Sequence, residues 1–211
     1  MIINNFDAME DILKPESNDD FWFGQIIARR KDIPDLSRSD KWIKTYYLRD
    51  FNHLKSKEEE IIKLCEAFHA RFYLNPNVRS FERVNAQMGQ AAWTNIQNKQ
   101  YDACVGCIDS ICGGAKYPGK EKIWVIDVDN EDNLTDTFEL GDLINHCMPN
   151  PGKIKALKTV KTLHGEHILT RPFNLKEFSE KLSTCENVYV TAEDIHKNSP
   201  TVIYFNEQHP I

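Results

Sequence analysis

Ile123-Trp124-Val125-Ile126-Asp127-Val128-Asp129 is the stretch on which the fold reading turns. It is short, apolar and β-branched, which predicts a central strand. Alternation along a strand puts Ile126 and Val128 on one face, toward a core. It puts Asp127 and Asp129 together on the other. Neighbouring carboxylates repel unless a cation lies between them, and hard oxygen donors suit Mg²⁺ or Mn²⁺. The plainer reading is a strand end running into a solvated acidic loop.

Downstream of that strand, residues 140–147 read as a short helix stopped before Pro149. Residues 159–163 and 167–170 read as strands around a His164-Gly165 turn. Asn174 is a natural cap for a helix, with Glu177 in the box position and Leu175, Phe178 and Leu182 inward. Residues 188–191 and 201–205 read as closing strands. Upstream, residues 25–30, 42–51 and 70–75 read as strands, and Asn75-Pro76 ends the last. Ser56 with Glu59 makes a capping box before Ile61, Ile62, Leu64, Cys65 and Phe68. Ser80 caps a second helical pattern through Val84, Met88, Ala91, Ala92 and Ile96. Its helix N-terminus could bind an anion, although a capped loop is the plainer reading. Residues 1–20 are acidic and read as a loose segment. Strands mixed with helices and joined by hairpin-like links predict one α+β domain over residues 1–211. Its core is a mostly antiparallel mixed sheet flanked by helices.

Bulk properties bound the rest. The chain has 211 residues, long enough to bury a core without covalent staples. No apolar run is long enough to span a bilayer, and residues 1–20 lack the pattern of a signal peptide. The expectation is a cytoplasmic protein, with its six cysteines reduced. Cys104-x-x-Cys107 with Cys112 suggests zinc. However, Tyr101, Cys104, Val105, Ile108, Ile111 and Cys112 also follow a helical stripe, with Asp102 as N-cap and Gly113 at the C-terminus. Buried helical cysteines are the preferred reading, and a structural zinc is not expected. Trp22, Trp42, Trp93 and Trp124 read mostly as core, and one exposed aromatic could stack a base.

The net charge of −6 does not advertise nucleic-acid binding, but charge is unevenly placed. Residues 127–142 carry seven acids and no Lys or Arg. Residues 153–161 carry four Lys and no acid, and residues 29–49 carry seven Lys or Arg against three Asp. Each run alone reads as solvated surface. Together they would suit basic walls holding phosphates beside an acidic metal pocket.

One order of motifs adds to this. The Asp-x-Asp strand is followed by Gly165-Glu166-His167 opening a later strand, then Arg171-Pro172-Phe173. Over residues 122–173 this resembles the archaeo-eukaryotic primase–polymerase superfamily, with its DxD and small-x-His motifs. The resemblance implies a DNA primase/polymerase-like nucleotidyl transferase using Mg²⁺ or Mn²⁺. Asp127 and Asp129 would bind metal, and His167 would contact the phosphates of a nucleoside triphosphate. Glu193 or Asp194 would supply the third acid. Arg171, Lys158 and Lys161 could hold phosphate or template. The implied partners are nucleoside triphosphates, single-stranded nucleic acid and a replication helicase, with no membrane. The chain departs from the pattern at the third motif, because residues 188–190 contain no acid. Two alternatives stay open: a non-catalytic nucleic-acid-binding accessory protein of the same fold, and a metal-dependent nuclease. No nucleophile elbow, phosphate-binding P-loop or dinucleotide fingerprint is present.

Overall fold

In the computed structural model, which describes residues 1–33, 39–114, 120–129 and 135–208, strand pairing is antiparallel throughout. The chain runs β1 (Ile2–Asn4), a 3-10 turn, β2 (Asp20–Ala28), β3 (Lys41–Leu48), α1 (Phe51–Ala67), β4 (Arg71–Leu74) and β5 (Arg79–Ser80). It continues through α2 (Phe81–Gln97), α3 (Asp102–Val105), α4 (Cys107–Gly114), β6 (Trp124–Asp129) and α5 (Thr137–Asn145). Then follow β7 (Ala156–Lys161), β8 (Gly165–Thr170), α6 (Leu175–Leu182), β9 (Ile195–His196) and β10 (Thr201–Asn206). The α+β class holds, with helices flanking antiparallel sheets. The strands form two sheets where one was expected. The first has the order β1-β10-β4-β2-β3, with β5 on β2, and the second has the order β7-β8-β6-β9.

The alternation in β6 explains how the second sheet is sandwiched. Trp124, Ile126 and Val128 face a core with Leu140 and Ile144 of α5 and Phe178 of α6. Val125 faces the other way. It joins Leu169 and Val160 in the cluster that also holds Ile26, Phe72 and Leu74 of the first sheet and Leu54 and Ile61 of α1. The face that carries the aspartates is therefore the face turned toward the first sheet. Close packing fixes one glycine in that sheet: a Cβ on Gly24 would sit 2.8 Å from the Phe72 ring.

Several local expectations are corrected. The segment read as loose, residues 1–20, contributes β1 and buries Ile3, Phe6, Met9, Ile12 and Leu13. The first helix starts at Phe51, capped by Asp50, whose side chain accepts from the His53 N–H at 2.7 Å. Ser56 lies inside that helix and donates to the His53 carbonyl. Ser80 caps α2 as expected, but Asp19 already occupies that helix end. The cysteine helix is interrupted at Gly106. Asp102 is the first residue of α3, Tyr101 holds the cap position without a side-chain bond, and α4 extends to Gly114. Cys112 is buried, while Cys104 and Cys107 are half-buried. Residues 188–190 are not a strand; the short β9 further on pairs with β6 instead. Trp22 and Trp124 are core, whereas Trp42 and Trp93 are exposed.

Candidate functional site

The site is built on the β6–β8 pairing. Its register sets Asp127 opposite His167 and Asp129 opposite Gly165. Directly opposed residues share a face, so both aspartates and His167 line the side of the sheet turned toward the first sheet. The His167 Nε2 lies 3.3 Å from an Asp127 carboxylate oxygen. Its Nδ1 lies 2.8 Å from the Thr201 hydroxyl at the start of β10. Thr201 is fully buried. An imidazole protonated at Nε2 fits both contacts: Nε2–H donates to Asp127, and Nδ1 accepts from the Thr201 hydroxyl. His167 thus spans the gap between the sheets.

Asp127 is half-buried, and Asp129 is exposed at the strand end. The hydrogen bond from His167 holds the Asp127 carboxyl below the usual carboxylate range, against the opposing effect of burial. Positive charge on Lys31, and on His167 and His196 whenever those rings are protonated, acts in the same direction. His196 sits in β9 opposite Val125, two residues from Asp127 on the same face. Lys31 follows the end of β2. Its charge acts weakly on the Asp127 carboxyl.

The expected third acid falls short of the pair. Continued by one residue, the β6–β9 register would set Asp194 opposite Asp127. The strand stops first, in a 3-10 turn over Ala192–Asp194. The Asp194 carboxylate there accepts from the Thr191 N–H at 2.7 Å and from the Thr191 hydroxyl at 2.9 Å. Glu193 is exposed. Among the described residues no three His, Cys, Asp or Glu side chains gather as a metal-holding group. The acids at positions 131 and 132, just past Asp129, lie outside the described residues.

The three basic candidates are not brought together. Lys161 pairs with Glu166, so alternation puts it on the face away from His167. Lys158 shares the face of His167, and its charge also acts weakly on the Asp11 carboxyl, beside the larger effect of Lys14. Arg171 follows β8 at the opposite end of the hairpin and is ion-paired with Glu121 at 2.8 Å. Thr201, His196 and Lys31 at the site were not marked as site residues by any motif. Each is far from Asp127 in sequence, and only the wider basic run hinted at Lys31.

Comparison with models of protein families, with curated proteins and with solved structures found no match.

Proposed function

We propose that the chain is a divalent-metal-dependent nucleotidyl transferase of the primase–polymerase kind. The carrying observation is the cross-strand pairing of Asp127 with His167, with Asp129 two residues along on the same face. The donor set fits Mg²⁺ or Mn²⁺: Mg²⁺ keeps several waters and is commonly held by one or two carboxylates together with substrate phosphates. Asp127 and Asp129 would hold it, and it would orient triphosphate oxygens and offset charge developing on the transferred group. His167, steadied by Thr201, is positioned to donate through Nε2 to a phosphate oxygen once Asp127 turns to the ion. Lys31 adds positive charge that acts on the same carboxylate, which favours an anionic substrate there. Glu193 or Asp194 would complete the site, with Asp194 leaving its Thr191 cap to do so. Nucleoside triphosphates and single-stranded nucleic acid are the substrates this reading requires, with a replication helicase as partner. Arg171, Lys158 and Lys161 would serve as outlying phosphate or template contacts.

One observation favours the second reading, a non-catalytic nucleic-acid-binding accessory protein. Asp194 is bound to its own turn and Asp127 to His167, so both carboxylates are already partnered. The experiment that separates the two is nucleotide incorporation on single-stranded DNA with Mg²⁺ or Mn²⁺. Wild type should extend or start strands, and Asp127→Ala/Asp129→Ala should lose the product. A folded wild type that makes no product under either metal, yet binds single-stranded DNA without cutting it, would leave the accessory reading.

A further inference from the structure

A cavity lies beyond the other end of the paired strands β6 and β8. It encloses about 580 Å³, within the roughly 300–1,000 Å³ range of small-molecule sites. Its charged lining is Lys120, Lys122, Lys153, Lys155 and Arg171, against one carboxylate, Glu121. Lys122 precedes β6, and Arg171 follows Thr170, which faces Trp124 across the sheet. Trp124 and Asp127 are three strand residues apart, roughly 10 Å. The cavity is therefore distinct from the Asp127–His167 site.

The charges in this lining do not cancel. Lys120 is paired with Glu16 and Asp20, and Arg171 is paired with Glu121. Lys122 and Lys153 are exposed and make no ion pair with a described residue. Lys155 is 3% exposed. Its ammonium donates only to the backbone carbonyls of Asn145, at 2.9 Å, and Asn150, at 3.1 Å. Burial pushes its pKa down. A buried ammonium is unfavourable; the Glu177 charge offsets burial only in part, and the chain is wound around the group. Asn150 and Gly152 take left-handed backbone angles, with φ of 56° and 82°. The Asn145 side chain accepts from the Lys155 N–H at 2.6 Å. Pro149, Pro172 and the exposed Ile154 add an apolar wall to the same cavity.

We propose that this cavity binds a small phosphorylated molecule of nucleotide size. Lys122 and Lys153 supply positive charge that no described residue pairs, Lys155 adds an ammonium held by backbone carbonyls, and a phosphate group brings more than one negative charge to one point. The apolar wall suits a flat, weakly polar moiety beside the phosphate. The volume suits one such molecule. The site stands on its own chemistry and does not require that the Asp127–His167 site transfer nucleotides.

Calorimetric titration of the full chain with ADP, pyrophosphate and adenosine, all in excess EDTA, tests this without a metal at the Asp127–His167 site. ADP and pyrophosphate should bind, and adenosine should not. Lys122→Ala/Lys153→Ala should weaken ADP binding by about tenfold or more, the loss of charge-assisted contacts. Both lysines are exposed, so the thermal midpoint should stay where it is. Asp127→Asn/Asp129→Asn should bind ADP as wild type does. The proposal is overturned by no binding of either phosphate compound up to about millimolar concentration, by equal binding in the lysine variant, or by loss of binding in the aspartate variant. Single-stranded DNA bound through these lysines, with no ADP binding, also overturns it, because the cavity would then contact a strand.

Discussion

At Asp127 a carboxylate, an imidazole and a buried hydroxyl are linked in one line, Asp127–His167–Thr201. Two expectations belong to this line. Thr201→Val keeps the shape of the side chain but leaves the His167 Nδ1 without its donor. It should cost about 1 kcal/mol, read from the shift in urea midpoint. The same variant should lower nucleotide incorporation if His167 acts as proposed, and leave it unchanged if the hydroxyl only packs. The second expectation concerns acid. The Asp127 carboxyl is held below its ordinary value, so its ionised form contributes stability above the unfolded carboxylate pKa, near 4. That contribution is lost as pH falls through the lowered value. The stability gap between wild type and Asp127→Asn should therefore be present at about pH 5 and close below about pH 4. The gap should be small, because the Asp127 side chain is 47% exposed and solvent screens it. Denaturation curves from about pH 3 to 7 check both sign and window; a gap that widens in acid would contradict it. In the sequence, Asp127, Asp129 and His167 were legible because strand alternation and a Gly-containing turn are local. Thr201 and His196 carry no such signal.

Among the elements, capping gives a clean contrast. The sequence offers Ser56-Lys57-Glu58-Glu59 as a capping box, and also Asp50 ahead of Phe51. The chain uses Asp50, which lets Leu54 reach the core one turn earlier. Asp50→Ala should cost about 1 kcal/mol, and Ser56→Ala close to nothing, by thermal or urea unfolding. Equal costs would mean that the helix frays back to Ser56 in solution. The absent strand at 188–190 has a different cause. Val188 and Val190 are buried, as alternation requires. They fill the α5–α6 core as an extended segment, and the intervening Tyr189 N–H donates to the Thr135 hydroxyl instead of a sheet partner. Alternation records which side chains are buried, and says nothing about which backbone pairs. Trp42 and Trp93 show the converse: their apolar character was legible, but the face each helix or strand leaves open was not.

For the whole molecule, the decisive feature is that two sheets share one hydrophobic cluster, which Val125, Val160 and Leu169 extend from the second sheet into the first. Near that junction Arg71 and Asp32 form a buried pair, 6% and 7% exposed, with the Arg71 Nε 2.6 Å from the carboxylate. Arg71 also stacks over the Phe205 ring at 4.5 Å. Asp32→Asn leaves that guanidinium buried without its counter-charge. It should destabilise the chain by about 3–5 kcal/mol, measured by urea unfolding. A cost below about 1 kcal/mol would show that water reaches the pair.

By itself the sequence determined the class of the chain, the strand that carries two carboxylates on one face, most helix positions, and a basic and an acidic run of charge. These are short-range properties: periodicity, capping chemistry and composition act within a few residues of chain. Tertiary structure alone decided that the strands divide into two sheets, and that His167 meets Asp127 and Thr201 between them. It also decided that Asp194 turns back to Thr191, and that Lys155 is buried in a cavity away from the aspartates. Those outcomes depend on which buried faces find each other across 34 to 123 residues of chain, as in His167–Thr201 and Asn75–Asn198. No local spacing encodes that choice, because the free energy that settles it comes from burying both faces at once.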